Sequence, residues 1–272
     1  MQIRVLFTAF FVLTQLFVMA QAKEAWGKKK CAVSLTYDDA LQVHLDHVVP
    51  ALDSLGLKAT FYLSGYSPAF TNRIAQWKGV AAQGHELGNH TLFHPCAGKP
   101  PGRGFVVPEY DLDTYTVKRM ADEIKMTNAL LYSLDGKTRR TFAYPCGDTQ
   151  VNGVSYYDQV KNDFVAARGV NPEWIKINNL NPANIGCYVV NGQTGDQLIA
   201  QVKKAMDTNT LIVFLFHGVG GGHGLNVSLS AHHQLLQFLK QQEQHVWVAP
   251  LQEIADYAQA KNQQAKTSQP KK

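Results

Sequence analysis

The chain reads as one α/β domain, with a barrel as the arrangement that fits best, on three observations. Strand-like and helix-like patterns alternate through most of the sequence, as parallel strands joined by helical crossovers require. Two runs, Cys31 to Tyr37 and Leu211 to Phe216, are apolar enough for strands buried on both faces. Neither an internal repeat nor a linker interrupts the 272 residues, a length that can bury one large core.

In chain order, residues 31–37 form the first strand. Residues 41–55 suit a helix, and Pro50 should kink or break it because proline lacks the N–H a helix interior needs. Lys58 to Leu63 is β-branched and aromatic, which predicts a second strand. Residues 70–83 read as a helix stopped by Gly84, followed by a short strand near His85 to Gly88. Proline and glycine crowd 95–110 into a long loop. A helix over roughly 113–134 carries Val117, Met120, Ile124 and Leu131 on one stripe. Short strands follow at 140–144 and 163–168, then an irregular Asn- and Pro-rich stretch over 171–185. A short strand at 187–190 and a helix at 196–206 lead to the buried strand 211–216, which ends at His217. Helices at 228–242 and 251–260 flank a last strand from His245 to Val248.

Residues 1–22 are expected to be a secretory signal. Arg4 precedes an apolar run from Val5 to Ala20, and Ala20, Gln21 and Ala22 form a small-x-small cleavage site. The alternative is an uncleaved anchor. No later segment is apolar over enough length to span a bilayer, so no stable membrane insertion is expected after cleavage, and the destination is the medium or the periplasm. The domain then covers 23–260, and the Gln/Lys-rich tail 261–272 is expected to be disordered. Hydrophobic residues at 45% and charged ones at 17% are ordinary for a globular chain. The excess of 26 basic over 21 acidic residues sits in Arg4 and in Lys261, Lys266, Lys271 and Lys272. The body between is balanced, which argues against a nucleic-acid partner.

Chemistry enters where the first strand ends, at Asp38 and Asp39. Adjacent carboxylates repel, and both stay ionised only beside a cation, most simply a metal ion. At the C-terminal edge of a parallel sheet, that is where ligands bind. Downstream, His90 and His94 stand four residues apart, so one helical turn would put both imidazoles on one face. One carboxylate and two imidazoles make a three-ligand site with room for water and substrate, as a catalytic zinc site needs. A lone pair of histidines at this spacing is usually surface or core; following a strand, in a chain with the paired aspartates, it gains weight. Four cysteines in a secreted chain suggest disulfides. Cys96 and Cys146 each follow a proline beside a site loop, and a bridge across the site mouth is expected. Cys31, at the head of a strand, reads equally well as a buried thiol.

The motifs together resemble the polysaccharide deacetylases of carbohydrate esterase family 4, the NodB-homology group. The first motif stands as Thr36-Tyr37-Asp38-Asp39. The second stands as His90-Thr91-Leu92-Phe93-His94, the third as Phe142 to Gly147, and the fifth as Leu215-Phe216-His217. The resemblance runs from residue 31 to about 260. It implies a distorted (β/α) barrel of the NodB type and a divalent metal, zinc by preference, on Asp39, His90 and His94. Asp38 would be the general base, His217 the acid toward the leaving group, and the backbone N–H of Cys146 an oxyanion donor. Leu215 would line an acetyl-methyl pocket, with Tyr37, Tyr144 and Arg168 the further substrate-binding candidates. Tyr37 and Phe93 would wall the cleft.

Three positions depart from the family pattern. Ala143 stands where an arginine often orients the base; Arg168, Arg139 or Arg140 could supply that guanidinium. Cys146 replaces the usual aromatic, and a thiol near a metal can ligate it. The fourth motif, an Asp-Trp stretch that tunes the catalytic histidine, is absent, with 171–185 in its place. The expected activity is a secreted hydrolase acting on carbon–nitrogen bonds other than peptide bonds, taking N-acetyl groups from an acetylated carbohydrate such as a GlcNAc polymer. The rivals are an O-acetyl esterase on xylan, an amidohydrolase on a small non-sugar amide, and a catalytically weak carbohydrate-binding protein.

Other features have plainer readings. The glycine-rich stretch Gly218 to Gly224 lacks the phosphate-loop lysine and reads as a flexible loop carrying His223. His44, Asp46 and His47 read as solvated, His85 as structural, and His232 and His233 as surface or core. Trp247 suits either sugar stacking or the core. Asn89 and Asn226 begin glycosylation sequons.

Overall fold

The computed structural model describes residues 25–268. The predicted leader lies outside the described residues. Strand β1, Cys31–Asp38, is buried along its whole length and is the axis of the sheet. One edge pairs in parallel with β7, Leu211–Phe216, from Ala32 opposite Leu211 to Tyr37 opposite Phe216. The other edge is shared by β8, Val246–Val248, at its start and β2, Thr60–Leu63, at its end. Beyond β2 the sheet continues through β3, Glu86–Asn89, then β4, Phe142–Ala143, to β5, Ala167–Arg168. Beyond β7 it ends in β6, Tyr188–Val189. Residues 185–190 bring the two ends together. Gly169 N–H donates to Ile185 O (2.8 Å) and Cys187 N–H to Asn171 O (2.8 Å), while Val190 N–H donates to Leu215 O (2.9 Å). The result is the distorted (β/α) barrel of a single domain that the motifs imply, with every pairing in this sheet parallel.

Side chains alternate across a strand, and this sorts the core. Cys31, Val33, Leu35 and Tyr37 face one layer, with Ile212, Phe214 and Phe216. Helices α1 (Val49–Ser54), α2 (Ile74–Ala82), α4 (Gly195–Thr208) and α5 (Leu229–Gln241) cover it, with Leu52, Trp77, Val202 and Leu235 buried among them. Ala32, Leu211, Val213 and Leu215 face the other way, where α6 (Leu251–Thr267) supplies Leu251, Ile254, Ala255 and Ala258. Helix α3, Val117–Asp135, closes the β3–β4 side, capped by the Thr116 side chain and ended by left-handed Gly136.

Several boundaries differ from expectation. The 41–55 helix is a π-helical turn, His44–Val48, running into α1, with Pro50 in the first turn where its missing N–H costs nothing. The 70–83 helix is split into Pro68–Thr71 and α2. The 140–144 and 163–168 strands shrink to two residues each. The last helix runs on to Thr267, into the stretch expected to be disordered.

Candidate active site

A cleft of about 660 Å³ opens at the C-terminal rim of the barrel, lined by Asp38, Asp39, His90, His94, Tyr144, Cys146, Leu215 and His217 among others. Successive strand residues point to opposite faces, yet both aspartates reach this cleft. The reason is backbone: Asp39 is left-handed, φ 78°, and Ala40 after it is too, φ 52°. Asp39 N–H is held by Tyr62 O at 3.1 Å. Such a conformation costs a non-glycine residue on the order of 1–3 kcal/mol and collects at functional sites.

The two histidines converge without a helix. Residues 90–94 form a loop in which Thr91 (φ 66°) and His94 (φ 52°) are both left-handed. Asn89 Oδ1 accepts from Thr91 N–H at 2.8 Å, and Thr91 Oγ1 accepts from His94 N–H at 2.9 Å. The rings end 4.7 Å apart, and their Nε2 atoms lie 3.5 Å (His90) and 3.4 Å (His94) from Asp39 Oδ1. His90 Nδ1 sits 2.8 Å from Ala143 O and donates to it, which leaves the Nε2 lone pair facing the carboxylates. One donor atom each from Asp39, His90 and His94 lies within 4.8 Å of the others. The set fits a divalent cation in number, chemistry and orientation.

Asp38 is buried, and its partner is Arg168, which reaches across from β5 to donate to Oδ2. Arg168 is fully buried; its other terminal nitrogen donates to Gly169 O at 3.0 Å. Arg139 pairs instead with Asp256, and Arg140 with Asp135 and Leu87 O. Asp38 Oδ1 is buried and has no hydrogen-bond partner among the described residues. His217 Nε2 approaches Asp39 Oδ2 from the opposite wall at 3.9 Å. Burial pushes the Asp39 carboxyl up, but His94, His90, His217 and His223 together outweigh it and hold it at about 2. Burial lowers His90 to about 4 against the pull of Asp38. Burial likewise lowers His217, with Asp38 and Asp39 opposing. Burial works against the Arg168 charge, yet Asp38 beside it leaves the guanidinium raised above its ordinary value.

Cys96 and Cys146 form a disulfide, tying the loop after His94 to the turn after β4. Both sulfurs are thereby committed, and neither is a thiolate for a cation. Cys146 is itself left-handed, φ 54°. Cys31 and Cys187 are buried free thiols.

Some expected neighbours lie elsewhere. Tyr37 is not a cleft wall: it shares the face of Val33 and Leu35, stacks between Phe61 and Phe216, and bonds His232 Nε2 at 2.8 Å. Arg168 meets Asp38 rather than the open cleft. Phe93 stacks on Tyr110 beside the cleft. Trp247 pairs opposite Ala32, at the far end of β1, and packs on Tyr257. His44 is buried, not solvated, and its Nε2 donates to His217 O at 2.8 Å. Sequence reasoning missed Arg103, which lines the cleft, binds Asp148 at 2.8 Å and donates to Cys146 O at 3.2 Å. It lies in an aperiodic loop, where no pattern marks it.

A family model described as polysaccharide deacetylase matches residues 27–165. A gellan lyase from a Bacillus species is 25% identical over 264 residues, 87% of this chain. The chain spans only 10% of that protein's length. Among solved structures, a polysaccharide deacetylase from Bacillus cereus is similar at TM-score 0.51 and 20% identity, covering 82% of this chain and 93% of that one. A pseudoenzyme of carbohydrate esterase family 4 from Bacillus anthracis is similar at TM-score 0.52 and 18% identity, over 85% of this chain and 67% of that one. At these identities the structural likenesses speak to the fold.

Proposed function

Because this chain belongs to the polysaccharide deacetylase family, we propose that it is a metal-dependent hydrolase that removes N-acetyl groups from a GlcNAc-containing polymer or oligosaccharide. The observation that carries this reading is the meeting, in one cleft, of a three-donor set, a buried carboxylate held by arginine, and a histidine on the facing wall. A divalent cation on Asp39, His90 and His94, zinc by preference, would polarise the acyl carbonyl and acidify water.

The chain's own groups divide the remaining work. Asp38, held at Oδ2 by Arg168, takes the proton of the attacking water. The Cys146 N–H donates to the oxyanion developing on the substrate. His217 delivers a proton to the departing nitrogen, so the amide C–N bond breaks to acetate and free amine. Leu215 and Tyr144 line the space around the acetyl group. The Cys96–Cys146 disulfide supports action in an oxidising compartment, the medium or the periplasm.

The test is acetate release from chitooligosaccharides, peptidoglycan and acetylxylan, with added zinc and after chelation. Zinc-dependent release from a GlcNAc substrate is expected. Release from acetylxylan alone would replace the amide reading by the ester one. Silence on all three, with metal shown to be bound, would overturn this reading in favour of a non-sugar amide substrate or of a binding protein.

A further inference from the structure

His217 carries a proton-transfer role in the proposed reaction, and its ring is nevertheless poorly tethered. Among the described residues Nδ1 is buried without a hydrogen-bond partner, and Nε2 stands 3.9 Å from Asp39 Oδ2. The backbone is secured through the bond from His44. The ring has a different neighbour: His223 lies flat on it, centroids 4.6 Å apart and planes 14° from parallel.

The glycine-rich loop is built to deliver that ring. Gly220, Gly221 and Gly222 all have positive φ, at 71°, 126° and 86°, and turn the chain back on itself. Gly218 N–H donates to Leu225 O at 3.0 Å and Gly221 N–H to Asn226 Oδ1 at 2.9 Å, closing the loop. His223 Nδ1 accepts from Leu225 N–H at 3.0 Å, which fixes the ring and puts the proton of its neutral form on Nε2. That Nε2 points at Asp39 Oδ2 from 4.0 Å. The flat contact restricts the His217 ring from the side where its Nδ1 makes no hydrogen bond.

We propose that His223 is a positioning residue for His217, a stacking platform that holds the proton donor's ring toward the leaving group in place of a hydrogen bond to Nδ1. This rests on the deacetylase reading for its kinetic consequence, not for the stack itself. Two measurements separate these. Proton NMR of the His217 ring, assigned by loss of its signals in His217→Ala, reads the stack with no substrate. His223→Ala should shift those ring resonances, and His223→Phe, which keeps a flat ring, should leave them near their original field. In the acetate-release assay, His223→Ala should lower kcat by about tenfold or more with KM within about twofold, and His223→Phe should recover most of the loss. Unmoved His217 resonances in His223→Ala would overturn the stack. A phenylalanine variant as impaired as the alanine one, with its resonances restored, would overturn the positioning role. If the wild-type protein releases no acetate from any substrate, the deacetylase reading fails while the NMR arm still decides the stack.

Discussion

At the scale of single residues, the two aspartates are separated by their partners rather than by their chemistry. Asp39 faces the histidines; Asp38 faces Arg168. His94→Ala should therefore lose zinc, measured by metal content after dialysis, together with activity; full activity in that variant would remove His94 from the ligand set. Asp38→Asn should retain added zinc as the unsubstituted chain does and lose turnover by roughly 10²–10⁴-fold, the usual reach of a general base. Wild-type turnover there would move the base elsewhere. Arg168→Met leaves a buried carboxylate without its cation, which typically costs about 3–5 kcal/mol. Urea unfolding of that variant checks the expectation, and an unchanged midpoint would show the pair to be dispensable for stability.

At the scale of elements, the site is carried by the ends of strands and by irregular backbone that those ends support. Strands β1, β3, β4 and β7 each stop at the rim, and the segments after the first three carry left-handed residues at Asp39, His94 and Cys146. The disulfide joins two of these segments across a sequence separation of 50 residues. Closing a loop of that length removes about 4 kcal/mol worth of unfolded-state entropy in the chain-entropy model. The double replacement Cys96→Ser, Cys146→Ser should lower stability by about 2–4 kcal/mol in denaturant unfolding. It should also weaken zinc retention, because the loop that holds His94 loses its tie. Unaltered stability and zinc content would mean that neighbouring contacts already hold both loops.

At the scale of the whole molecule, buried neutral histidines make stability depend on pH. Burial drives His232 down to about 3 and His44 to about 4, each from an ordinary value of 6.5. Between those limits the unfolded chain binds more protons than the folded one, so stability is complete above about pH 6.5 and is lost as pH falls toward 3. For His232 alone the full loss is on the order of 5 kcal/mol. Unfolding free energies measured at pH 7.5 and pH 4.5 should differ in that direction; a flat profile would mean that these rings are solvated when the protein is folded.

Sequence alone determined the order of the elements and the α/β class, because buried strands are written in adjacent residues; the family resemblance singled out Asp39, His90 and His94, whose donor atoms the structure gathers within 4.8 Å of one another. It also placed Leu215 and Tyr144 where the cleft now holds them. It misjudged Tyr37, although the period of two along β1 that sends Tyr37 into the helix-covered layer was legible beside Val33 and Leu35. Only the tertiary structure decided which arginine meets Asp38, since Arg139, Arg140 and Arg168 are all candidates in sequence and differ in which acid each one faces. It alone showed that His90 and His94 meet through two left-handed residues instead of a helical turn. It alone set His223 on His217, by folding a glycine loop whose path no hydrophobic pattern records. The physical reason is common to all three. Periodicity reports which face of an element is buried, whereas a site is made by the few irregular residues that bring distant elements into contact.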